Sequence, residues 1–211
     1  MENQQHLKDI SEMRSLMERS SRFISLSGLS GVFAGIFAIL GAAAAFMYMD
    51  YTFGWPERYF NFHDYTGALK IDVIWFLLFD AIIVLILALG FGIYFTTRNS
   101  RRKGLKIWDK TAKRMLINLG IPLVSGGLFC IALFYHGLVY LIAPATLIFY
   151  GLALVNASKY TLDDVKYLGI SEIILGIVAT VFAGYSIIFW TVGFGILHIV
   201  YGTFMYYKYE R

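Results

Sequence analysis

The chain has 211 residues, of which 58% are hydrophobic, 18% aromatic and only 15% charged, with a formal net charge of +4. A mean hydropathy of +0.64 is too apolar for a water-soluble domain of this length, so a lipid bilayer is the expected solvent. The apolar runs lack the alternation of barrel strands, which leaves an all-α integral membrane fold as the way to satisfy the backbone in lipid.

Residues 1–22 come first. Leu7, Ile10, Met13, Leu16 and Met17 recur at three- to four-residue spacing among Lys8, Asp9, Glu12, Arg14 and Glu18, the pattern of an amphipathic helix. Such a helix lies flat on the inner leaflet or pairs with a membrane protein partner. The segment lacks the short apolar core and small-residue cleavage site of a signal peptide, so the N-terminus is expected to stay in the cytoplasm.

Six apolar stretches of roughly 20 residues follow, each long enough to cross a bilayer: 23–48, 71–97, 115–136, 138–156, 168–189 and 190–207. In the first, Gly31 and Gly35 form a Gly-x-x-x-Gly pair continued by Ala34, Ala38 and Ala42, which invites close approach of another helix. The connection 49–70 carries Tyr51, Phe53, Trp55, Tyr59, Phe60, Phe62 and Tyr65. Rings of this kind form an interfacial belt, or a lid over a cavity. The connection 98–114 holds eight bases, and all but Arg58 and Lys70 of the 18 Lys and Arg residues fall on that same side. Basic residues resist translocation, so that side is the cytoplasm of an inner-membrane protein with both termini inside. Because the basic stretch sits between two spans, anionic lipid headgroups, and not nucleic acid, are its expected partner.

The odd-numbered spans share a register. Gly28, Gly120 and Gly169 align, as do Gly35, Gly127 and Gly176, and Ala38, Cys130 and Ala179. This predicts three helical hairpins, 23–97, 115–156 and 168–207, in one orientation, able to surround a pseudo-threefold axis. Gly28, Gly31, Gly35, Gly127 and Gly176 are the expected helix-packing positions.

Ionisable groups inside spans are costly and mark functional candidates. Asp72 is near the outer end of the second span. Asp80 lies about 13 Å inside it, and His198 lies about 12 Å inside the sixth at a rise of ~1.5 Å per residue. The two form a proton-relaying pair if those helices touch. Glu172, four residues into the fifth span, is expected to reach headgroup water or Lys166. Its repeat equivalents are Gly31 and Leu123, so no ring of acids results. His6, His63, His136 and His198 are scattered, Cys130 is the only cysteine, and no phosphate loop or nucleophile elbow occurs. No metal, cofactor or catalytic residue is therefore expected.

The run from Met17 to Gly28, together with Phe189-Trp190, Gly193-Phe194-Gly195, His198 and the end from Tyr206 to Arg211, resembles an uncharacterised six-helix membrane protein family of the Bacteroidota across the whole chain. Some relatives imply β-carotene cleavage, which needs an iron site that these histidines do not form. The hairpin layout is also similar to the acid-resistance-associated HdeD-type membrane proteins, which implies a stress-related membrane role. The leading expectation is a non-enzymatic protein that organises membrane, senses, or binds a partner through residues 1–22, or assembles as a homo-oligomer. The alternatives are a small proton-linked transporter or channel using Asp80 and His198, and an intramembrane enzyme acting on lipid or isoprenoid.

Overall fold

The computed structural model describes residues 26–53, 70–104 and 108–211, and among these the secondary structure is helical throughout. The amphipathic segment 1–22 and most of the aromatic connection lie outside the described residues. We number the helices α1 (Gly28–Phe53), α2 (Ile71–Arg102), α3 (Lys110–Tyr135), α4 (Ile142–Ala157), α5 (Asp164–Val181) and α6. The last is built from Ser186–Trp190, a π-helical stretch Thr191–Leu197, and His198–Tyr209.

Five of the six are long and apolar enough to cross a membrane. The exception, α5, carries Asp164, Lys166 and Glu172 within its 18 residues. Among the helices that outrun the expected spans, α2 and α3 do so for a physical reason. Past residue 97, α2 continues to Arg102, keeping its backbone bonded while Arg98, Arg101 and Arg102 project from the last turns, where cations suit the helix dipole. Helix α3 begins at Lys110 because Asp109 caps it, its side chain accepting from the Ala112 N–H at 2.6 Å.

The turn between α5 and α6 also differs from expectation. It falls at Ala183–Tyr185, where Phe182 leaves helical geometry, and not at residues 189–190. Phe189 and Trp190 lie inside α6. An apolar run across this turn gives hydropathy nothing to detect; the Ala183-Gly184 step breaks it.

The main helix contacts run from α2 to α1 to α6 on one side and from α3 to α4 to α5 on the other, and the two sets join where α4 and α5 touch α6. Helices α2 and α3 thus end an arc and turn most of their apolar surface outward, as lipid-facing helices do.

Glycines set the α1–α6 and α4–α5 contacts. A Cβ on Gly28 would fall 2.3 Å from the Tyr206 backbone nitrogen, and one on Gly35 would fall 2.5 Å from the Gly195 oxygen. Gly31 meets Gly202 less tightly, at 3.2 Å. The α4–α5 contact repeats the device: a Cβ on Gly151 would sit 2.5 Å from the Gly169 oxygen, and Gly176 abuts Ile148 and Leu147. Backbones this close gain dispersion contacts that large side chains would hold apart. Gly127, expected to pack, faces open space among the described residues, as does Gly120. Their helix stands at one end of the arc with nothing described beyond it.

Candidate functional site

Three helices meet around His198. Along α4, Leu147, Tyr150, Gly151 and Leu154 lie at helical spacing on the face toward α5 and α6, which brings the Tyr150 hydroxyl to 2.9 Å from His198 Nε2. Helix α5 contributes Glu172, whose Oε1 is 3.4 Å from His198 Nδ1. Helix α6 contributes the histidine and a partner for it, the Gly193 carbonyl, 3.0 Å from Nδ1.

The last contact falls at the end of an irregular stretch of backbone. In an α-helix the group stacked over a carbonyl is four residues on, whereas in a π-helix it is five. Residues 191–197 are π-helical, and His198 stands five residues after Gly193. Glycine at 193 also makes room for the acid. A Cβ there would fall 2.5 Å from Glu172 Oε2 and 2.5 Å from Leu147 Cδ2. Phe194 stacks beside the imidazole with centroids 5.8 Å apart, and Tyr150 and Trp190 each approach Phe194 at 4.9 Å.

Glu172 and Leu147 are fully buried, at 0% exposure, and His198 is at 6%. Neither carboxyl oxygen of Glu172 has a hydrogen-bond partner among the described residues. A buried carboxylate lacking donors or a cation bears a large desolvation cost. A proton on the carboxyl removes that charge without needing more space. The packing against Gly193 and Leu147 suits a proton in a way it does not suit a coordinated metal, and no cluster of three metal-ligating residues occurs among the described ones.

The sequence-predicted residues divide. His198 is central. Glu172, expected to reach headgroup water or Lys166, is buried in the protein core: α5 starts at Asp164, so the acid is eight residues in, about 12 Å from the helix start. Asp80 does not meet His198. It faces α1, where a Cβ on Gly41 would sit 3.2 Å from its Oδ2, and it makes no hydrogen bond or ion pair among the described residues. Asp72 is exposed in the first turn of α2, where an acid suits the dipole. Tyr150 and Gly193 were not singled out as site residues. A turn at 189–190 puts Glu172 and His198 about 27 Å and 13 Å from it; the observed turn puts them at about 18 Å and 21 Å, nearly level.

A second polar cluster closes the far end of the same helices. Lys208 Nζ donates to both Asp164 oxygens, at 2.9 and 3.2 Å, and the Tyr209 hydroxyl donates to Asp164 at 2.7 Å. Glu210 caps α1, accepting from the Ser27 hydroxyl at 3.1 Å and from the Gly28 N–H. Lys103 of the α2 end donates to the Tyr209 carbonyl at 3.2 Å. Partial burial pushes the Asp164 carboxyl up, but the hydrogen bonds from Lys208 and Tyr209 and the Lys208 charge outweigh it and hold the group below its ordinary range.

No protein-family model matches the chain, and neither does any curated protein or solved structure.

Proposed function

We propose that all six helices of this multi-pass protein cross an inner membrane with both chain ends in the cytoplasm, and that it is a non-enzymatic proton sensor that responds to protonation of the Glu172 carboxylate. The observation that carries the reading is a fully buried carboxyl with neither oxygen hydrogen-bonded among the described residues, 3.4 Å from an imidazole. Intramembrane acids are retained where their charge is used. The groups facing Glu172 are Tyr150 from α4 and His198 and the Gly193 carbonyl from α6. None is a permanent cation, so proton uptake changes the local charge outright. The cytoplasmic placement follows from the bases, and it puts the Asp164–Lys208–Glu210 cluster at the inner face.

The resemblance to a six-helix Bacteroidota family and to acid-resistance-associated HdeD-type proteins is in line with a stress-sensing role. Residues 1–22 and the bilayer-facing α2 and α3 are the surfaces for a lipid, protein or second-copy partner. A proton-linked transporter is the second reading. It is favoured by Asp80, an acid against Gly41 in the α1–α2 contact with no partner among the described residues.

Infrared difference spectroscopy of the full chain in liposomes, titrated with acid and base, tests the proposal. A protonated-carboxyl band that changes with pH in wild type and vanishes in Glu172→Gln supports it. Spectra identical in the two proteins would retire it. A pH-sensitive dye trapped in the same liposomes separates the readings, since sustained proton flux abolished by Asp80→Asn belongs to a transporter and not to a sensor.

A further inference from the structure

The hydrogen bonds around His198 decide which ring nitrogen holds its proton. The Gly193 carbonyl can only accept, and it lies 3.0 Å from Nδ1, so Nδ1 carries hydrogen. A neutral imidazole has one N–H, which leaves Nε2 as a bare lone pair, and the Tyr150 hydroxyl at 2.9 Å must then donate to it. A doubly protonated ring fits less well. It would place an imidazolium 3.4 Å from a carboxylate, whereas charge-assisted N–H···O bonds close to about 2.7–2.9 Å.

We infer that Tyr150 is the positioning residue of this site: by donating to Nε2, its hydroxyl holds His198 as the Nδ1–H tautomer and turns the only ring proton toward Glu172. The inference rests on the reading of Glu172 as the proton-binding group. It assigns the histidine an unexpected part. The Nδ1–H lies between two acceptors, the Gly193 carbonyl and Glu172 Oε1. With Glu172 protonated, the N–H bonds the carbonyl, as seen. With Glu172 ionised, a small ring movement redirects the same N–H to the carboxylate. The ring neither gains nor loses a proton; the proton exchanged is the carboxyl's. His198 is a neutral arm that answers the charge of Glu172, and the Gly193 carbonyl is where the arm rests.

The test is solid-state NMR of the full chain in lipid bilayers, with 15N-histidine reporting the tautomer and the 13C carboxyl of Glu172 reporting its charge. His198 signals are assigned by their loss in His198→Asn. The expected wild-type result is protonated Nδ1 and bare Nε2 on both sides of the Glu172 transition. Tyr150→Phe removes one hydrogen bond and should move the tautomer ratio about five-fold toward Nε2–H. His198→Asn, which keeps an N–H at the place of Nδ1, should preserve the Glu172 transition. His198→Gln, which puts its N–H at the place of Nε2, should displace it. An Nε2–H or doubly protonated wild-type ring, or an unchanged ratio in Tyr150→Phe, overturns the inference. A Glu172 signal that stays flat across pH beside the expected tautomer defeats the proton-sensing reading instead.

Discussion

Replacing Gly193 by alanine probes packing and chemistry together. The added Cβ would lie 2.5 Å from Leu147 Cδ2 and 2.5 Å from Glu172 Oε2, and both neighbours are fully buried, so neither can retreat into solvent. Overpacking of this kind costs about 2–3 kcal/mol. Alanine's better helix propensity offsets roughly 1 kcal/mol, for a net loss of about 1–2 kcal/mol. For a chain of this size that lowers Tm by roughly 2–8 °C. Thermal unfolding in mild detergent measures it. Leu147→Ala opens the space the methyl needs, so the double variant should be more stable than the sum of the two single losses by about 1 kcal/mol or more. The same methyl pushes the Glu172 carboxyl from its place, so its pH-dependent infrared band should shift as well. Strictly additive losses, or a Gly193→Ala protein with wild-type Tm and spectrum, would refute the idea that glycine at this position accommodates the acid.

The helix contacts make a second prediction: Gly28→Ala, which meets Tyr206 and Gly202 backbone at 2.3–2.4 Å, should unfold the protein or cost at least about 3 kcal/mol, because backbone cannot give as a side chain does. Gly120→Ala, with nothing within 4 Å, should be neutral or gain up to roughly 1 kcal/mol from helix propensity; similar Tm losses in both would contradict the packing argument. A 13C titration of Asp164 should show a midpoint below the ordinary aspartate value of about 3.9. Since the folded carboxyl is held low, its stabilising effect is fully present above that value and fades as pH falls through the lowered midpoint; a midpoint at or above the ordinary value would remove the Lys208–Tyr209 cluster from the account. In a Cys130→Ser background, a membrane-impermeant thiol reagent added outside cells should label Tyr135→Cys and spare Arg102→Cys; the opposite pattern would invert the proposed topology.

Much of the architecture was legible in residue order because water and lipid act on local composition. Apolar runs of span length marked the helices, the basic stretch marked one side, and Gly28, Gly31 and Gly35 announced a close helix contact before α6 was known to supply it. Hydropathy is blind where chemistry does not change, and so the turn at Ala183–Tyr185 was read some five residues late. That displacement put Glu172 and His198 on different levels and left Asp80 as the acid of matching depth. Three-dimensional packing alone decided that α1 is the helix packed along α6, that α5 begins early enough to bury Glu172, and that the Gly193 carbonyl lies against the His198 ring. A span is selected by the transfer energy of its own side chains, whereas a polar site depends on which faces of separate helices meet, and single-residue offsets in turn position or helical pitch determine that.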